Sequence, residues 1–154
     1  MLTRELFAFV LITGLAPMIG LGVQALAGEE PASSQTETKV LALGITVHEV
    51  TEEELEKGET PPAPRFNTPA LAYVLAANLK KGDVVQLRLW NEDKAVVRNE
   101  ETLESDKAKY LLLAGKRGVP PGGWPNGTYH AELTITRDGK PLITENTKPI
   151  PFEQ

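Results

Sequence analysis

From Tyr129 to Thr136 the chain alternates without a break: Tyr129, Ala131, Leu133 and Ile135 are apolar, and His130, Glu132, Thr134 and Thr136 are polar. A period of two puts the two sets on opposite faces of a strand, so the run predicts a strand buried on one side and solvated on the other. Asp138-Gly139 follows, and then Leu142 to Thr147, the layout of a β-hairpin. An isolated hairpin is barely stable in water, so the rest of the chain has to cover its apolar face.

Charge sets the expected register of that hairpin. A two-residue Asp138-Gly139 loop places Glu132 opposite Glu145, a like-charge pair. A three-residue loop, Arg137-Asp138-Gly139, places Leu133 opposite Ile143 and Glu132 opposite Thr144, and is the expected form. Pro141, Pro149 and Pro151 lack donors, which suits an edge.

The same period appears upstream. Leu41, Leu43, Ile45 and Val47 alternate with Ala42, Gly44, Thr46 and His48. Ala70 to Leu79 places Leu71, Tyr73, Leu75, Ala77 and Leu79 on one side, and Val84 to Trp90 turns Val85, Leu87 and Leu89 inward and Gln86, Arg88 and Trp90 outward. The Lys80-Lys81-Gly82-Asp83 turn between these two runs is expected to join them as a hairpin. Further strands are expected over Lys94 to Val97, extending through Arg98 to Leu103, and over Ala108 to Ala114. Thr51-Glu52-Glu53-Glu54 has the form of a capping box, and Gly58 is placed to stop a single helical turn. Pro61, Pro62, Pro64 and Pro69 make the next stretch a stiff extended connector. Its Pro61-Pro62-Ala63-Pro64-Arg65 segment has the PxxP form of a peptide ligand, although a spacer is the expected role.

The N-terminus reads as an export signal. Arg4 precedes an apolar run of 18 residues, Leu6 to Val23, and Ala25 and Ala27 form an Ala-x-Ala cleavage site. Cleavage after Ala27 is expected, which makes 1–27 a signal peptide, 28–38 a polar flexible leader and 39–154 the folded domain. The alternative is an uncleaved N-terminal membrane anchor, since the run is long enough to span. Gly14, Pro17, Gly20 and Gly22 weaken such a helix. The expected location is the periplasm or the exterior, with no membrane span once the signal is removed. The chain has no Cys, so packing and backbone pairing alone hold it together.

About seven short strands without a long helical pattern predict an all-β protein, an antiparallel β-sandwich. Gly122-Gly123-Trp124-Pro125-Asn126-Gly127-Thr128-Tyr129, leading into an alternating strand and an Asp-Gly-Lys turn, resembles the penultimate hairpin of Ig-like or fibronectin-III-like domains in bacterial exported proteins. That resemblance implies that Tyr129 is a tyrosine-corner residue whose hydroxyl bonds back to loop backbone. It covers Arg65 to Phe152 and departs from antibody domains in lacking the paired Cys. It speaks for architecture rather than activity.

No motif names a reaction, and a non-enzymatic role is expected. The net charge of -5 argues against a nucleic-acid partner. His48 and His130, the only histidines, are expected as solvated surface residues on opposite sheets, so neither a metal nor another cofactor is expected. Outside the first 27 residues, serine occurs only at Ser33, Ser34 and Ser105, and there is no Gly-x-Ser-x-Gly elbow. The acidic runs Glu52 to Glu56 and Glu100 to Asp106 read as solvated faces. Asn126-Gly127-Thr128 is a glycosylation sequon that matters only in a eukaryotic source.

The candidate binding residues are two tryptophans and an arginine. Trp124 lies in the rigid Pro120-Pro121-Gly122-Gly123-Trp124-Pro125 loop, where it either presents a flat apolar face or folds over the open end of the sandwich and closes the core. Trp90 is the second candidate, with Arg88 beside it on the same outward face. The leading expectation is an Ig-like interaction module that binds a protein partner. The alternatives are a carbohydrate-binding module that stacks sugar on Trp124 or Trp90, and a protease inhibitor that presents the Pro120 to Pro125 loop.

Overall fold

The computed structural model describes residues 37–154, so the expected signal peptide and all but the last two residues of the expected leader lie outside the described residues. In chain order the elements are β1 (Lys39–Thr46), α1 (Glu52–Glu56), β2 (Ala70–Leu79), β3 (Val84–Asn91), β4 (Lys94–Thr102), β5 (Lys107–Lys116), β6 (Thr128–Arg137), β7 (Lys140–Asn146) and β8 (Ile150–Pro151). They form two antiparallel sheets, one ordered β1-β2-β5 and the other β4-β3-β6-β7, with β8 on the part of β6 that β7 leaves unpaired. The protein is therefore the antiparallel β-sandwich that the alternating runs predict.

Its core lies between the sheets. Ala70, Ala72, Val74 and Ala76 of β2 and Leu112 and Ala114 of β5 face Val85, Leu87 and Leu89 of β3 and Ala131, Leu133 and Ile135 of β6. Alanines on one wall make room for the leucines of the other. Full burial of one such leucine stabilises the fold by about 2 kcal/mol.

The β2 faces are the reverse of a simple amphipathic strand. Leu71, Tyr73, Leu75 and Ala77, the larger set, point away from the sandwich interior, yet all four are buried. Asn78, at a φ of 60°, interrupts the extended run, and Leu79 returns to the core. The cover on the outer face is the segment between β1 and β2. Glu56 of α1 pairs with Lys109 of β5 and Glu49 with Arg117, while Val50 and Pro64 of the segment are themselves buried. Pro61 is half-buried. The short helix forms as expected: the Thr51 hydroxyl accepts from the Glu54 backbone N–H, the Glu54 carboxylate accepts from the Thr51 N–H, and Gly58 follows at a φ of 77°.

A bulge corrects the expected face of β1. The pairing with β2 slips between Val40 and Ala42, so Leu41 is exposed while Val40, Leu43 and Ile45 pack on the core. Thr38 also belongs to the fold rather than to the leader, because it is buried and donates its hydroxyl to the Asn78 carbonyl at 2.7 Å.

The Lys80-Lys81-Gly82-Asp83 turn does not make a β2–β3 hairpin. It carries the chain from one sheet to the other, and β3 pairs with β4 and β6. Asp83, 1% exposed, anchors the crossover: its carboxylate accepts from the Lys80 backbone N–H at 2.8 Å and from Arg137 Nε and Nη2 of β6 at 2.8 and 2.7 Å. Arg137 Nη2 also donates to the Thr38 hydroxyl at 2.8 Å, and the Asp83 carbonyl accepts from Leu103 N at 2.9 Å. Asp83 thus ties the crossover to the end of β6 through its carboxylate, to the start of β1 through Arg137, and to the end of β4 through its backbone carbonyl.

The β6–β7 hairpin corrects the expected loop. Arg137 pairs with Lys140 across a two-residue turn in which Asp138 and Gly139 have φ of 52° and 76°. The register then slips at Leu142, which puts Ile135 opposite Ile143, Leu133 opposite Glu145 and Glu132 opposite Asn146. A bulge, rather than a longer loop, separates the two glutamates. At the other lateral side, Asn99 Nδ2 of β4 donates to the Leu113 carbonyl of β5 at 2.8 Å and joins the edges of the two sheets.

The hydrogen bonds from Arg137 hold the Asp83 carboxyl below the ordinary carboxylate range against the effect of its burial. The folded-state pKa thus lies below the unfolded value of about 3.9. The stabilisation is complete above that unfolded value and is lost as the pH falls through the folded-state pKa. Urea melts of Arg137→Ala at neutral pH are expected to show a loss of about 3 kcal/mol, because the carboxylate stays buried without its cation. The gap to wild type should narrow in strong acid, and a gap independent of pH would show that the Asp83 charge is not what Arg137 holds.

Candidate functional site

The outward faces of β3, β4 and β6 meet on one side of the four-stranded sheet. The register sets Trp90 opposite His130, Arg88 opposite Glu132 and Gln86 opposite Thr134, while β4 places Arg98 opposite Arg88 and Glu100 opposite Gln86. The like-charge pair of arginines is tolerated because each has its own acid. Arg88 Nη1 donates to Glu132 Oε1 and Arg98 Nη2 to Glu100 Oε2, at 3.1 and 3.0 Å. Arg88 also donates to the Gln86 side-chain carbonyl, and the Gln86 amide donates to Glu100. Arg98 first, and then Gln86, hold the Glu100 carboxyl below its ordinary pKa.

Trp90 sits at one end of this lattice, half-buried. Its indole N–H donates to Glu132 Oε1 at 3.3 Å, the Arg88 guanidinium lies 5.8 Å from its ring centroid, and the His130 ring runs parallel to it at 6.2 Å. Part-exposed ion pairs of this kind contribute at most about 1 kcal/mol to stability. Their effect is on geometry, since they fix the rotamers of Arg88, Trp90 and Glu132 before anything binds.

Trp124 is elsewhere and does something else. It is 5% exposed, so it is not the surface platform that the loop composition allows. Its indole N–H donates to the Thr68 carbonyl at 2.8 Å, and its backbone N–H donates to the Phe66 carbonyl at 2.8 Å. Its ring meets Tyr129 and Phe152 edge-on at 6.1 and 6.0 Å, and those two rings stack at 3.8 Å. The Tyr129 hydroxyl donates to the Pro125 carbonyl at 2.6 Å, the bond that a tyrosine corner makes. The rings close this end of the sandwich, and the loop that holds Trp124 is anchored by it rather than presenting it.

The structure therefore brings Trp90 and Arg88 together and separates both from Trp124. It adds Glu132 and His130, which sequence reasoning left as ordinary surface residues. Outward parity on two strands was the available signal, but it becomes a site only when β3 pairs with β6. His48 follows β1 on the other sheet, where its ring nitrogen Nδ1 contacts the Glu49 carbonyl. Ser105 is exposed. Among the described residues, no group of three or more His, Asp or Glu could hold a metal ion, and no helix is long and apolar enough to cross a membrane.

No family model matches the sequence, and no curated protein matches it significantly.

The two tryptophans are expected to separate in denaturant melts. Trp124→Ala should cost about 3 to 5 kcal/mol, as truncation of a buried aromatic does. Trp90→Ala, which removes a half-buried ring from a solvated face, should cost about 1 kcal/mol. Equal losses would contradict the assignment of core and surface.

Proposed function

We propose that the chain is an exported, non-enzymatic interaction module that binds a protein partner through the outer face of the four-stranded sheet, centred on Trp90. The observation that carries this reading is the fixed cluster of Trp90, Arg88, His130 and Glu132 on a solvated sheet face. Trp and Arg are the residue types that most often dominate the affinity of protein interfaces. A side chain already held in one rotamer loses little further freedom on binding.

Export rests on the apolar run from Leu6 to Val23 and the Ala25-x-Ala27 site, followed by a domain without cysteine. An Ig-like kinship is supported by the two antiparallel sheets and by the Tyr129 bond to Pro125. In antibody constant domains the fourth strand lies on the sheet of the first two. Here β4 stays beside β3, which widens the face that carries Trp90.

A protein partner is preferred to a sugar because the groups that a sugar platform needs are in use. The Arg88 guanidinium sits near the Trp90 ring, and the indole N–H is committed to Glu132. The inhibitor reading loses its aromatic anchor, since Trp124 is buried and Pro121, Gly122 and Pro125 are the exposed residues of the loop.

Cross-linking capture with wild type, Trp90→Ala and the loop variant Pro121→Ala, all shown to be equally folded, tests this reading. A protein partner retained by Pro121→Ala and lost by Trp90→Ala is the expected result. Capture unaffected by Trp90→Ala overturns it, as does a glycan-array signal that disappears with Trp90.

A further inference from the structure

At the β1 edge, away from the Trp90 face, lies a groove of about 230 Å3. It runs among Gly44 and Tyr73 of the sheet, Pro61 and Ala63 of the covering segment, and Lys148 and Ile150 beyond β7. Tyr73 is 8% exposed, so more than nine-tenths of it is buried, yet its hydroxyl makes no hydrogen bond to any described residue. Among the described side chains, the one polar atom both wholly buried and unpaired is Asn91 Oδ1, so the Tyr73 hydroxyl is not sealed in and opens on the groove that its ring lines. A buried phenol ordinarily finds a partner.

Gly44 is what makes the arrangement possible. A Cβ at that position would overlap the phenol oxygen and ring of Tyr73, so a larger residue would displace the hydroxyl. Lys148 is exposed and forms no ion pair with a described residue. The groove therefore combines mostly apolar walls, the hydroxyls of Thr60 and Thr147, the buried and unpaired Tyr73 hydroxyl, and one cation without an ion pair among the described residues.

We propose that this groove binds a small amphiphilic carboxylate, its apolar body against Pro61, Ala63 and Ile150 and its carboxylate accepting a hydrogen bond from the Tyr73 hydroxyl beside the Lys148 ammonium. The volume is below that of a typical drug-sized pocket, which restricts the ligand to a single short acyl chain or one ring. Burial raises the pKa of the Tyr73 phenol, so it keeps its proton and stays a donor at neutral pH.

Titration of the full chain with octanoate, followed through the backbone amide NMR signals of Gly44 and Lys148, tests the proposal. Octanol and octylamine serve as neutral and cationic probes of the same length. The expected result is saturable shifts with octanoate in the millimolar range and none with octylamine. Tyr73→Phe, which removes one oxygen and leaves the ring in place, should weaken octanoate about tenfold, as loss of one hydrogen bond to a charged group does. Lys148→Gln should abolish the preference for octanoate over octanol. Absence of saturation, equal affinity in Tyr73→Phe, or saturation by a proline-rich peptide in place of octanoate would each overturn the proposal. The groove and the Trp90 face share no residue, so each reading can fail alone.

Discussion

A carboxylate taken out of water has to be satisfied on every side, and the way Asp83 is satisfied organises this sandwich. Its carboxylate accepts from the backbone of its own turn and from Nε and Nη2 along one edge of the Arg137 guanidinium, and through Arg137 it reaches Thr38. Those partners belong to the crossover between the sheets, to β6 and to the residue before β1. With no disulfide available, the sheets are held by facing apolar side chains and by what joins them at their ends. At the end where Asp83 lies, the junction is electrostatic. The loss of one partner leaves a buried charge, which is why such a pair enforces a particular arrangement more than it adds net stability.

The opposite end is closed by apolar surface. Trp124, Tyr129 and Phe152 pack on one another, and each polar atom that they bring inside is paired, the indole N–H with Thr68 and the phenol with Pro125. Rigid closure at both ends leaves the outer face of the four-stranded sheet free of structural duty, and there Trp90 is oriented by Arg88 and Glu132 without being buried by them. The outer face of the other sheet has no such freedom. The segment between β1 and β2 covers it, and the side chains of β2 are buried on both faces.

The strands were legible because period-two alternation is a local property, and a strand stands at each of the seven runs that the pattern marks. Pairing was not legible, because it depends on contacts distant in sequence. The Lys80 to Asp83 turn has hairpin chemistry, and contacts distant in sequence, from Arg137, Leu103 and Asp106, hold it as a crossover. The faces of β1 and β2 were misread for related reasons. A bulge at Leu41 inverts one parity, and on β2 a covering segment rich in proline lets the larger residues turn outward. In the last hairpin the conflict between Glu132 and Glu145 was visible, but the remedy, a slip at Leu142, was one that turn length alone does not describe. Trp90 and Arg88 were readable as neighbours from their parity on one strand. Glu132 and His130 were not, since they join them across the β3–β6 ladder.

One tryptophan closes the core, and the other stands half-buried on the solvated sheet face proposed to dock a partner. Because Trp90 and Trp124 are the only tryptophans, replacing either with Phe leaves a single emitter. Acrylamide quenching of the two variants is the most direct measurement. Blue-shifted emission resistant to quencher is expected when Trp124 remains, and red-shifted emission quenched readily when Trp90 remains. Ready quenching of Trp124, or protection of Trp90 in the unbound protein, would contradict that assignment of core and surface.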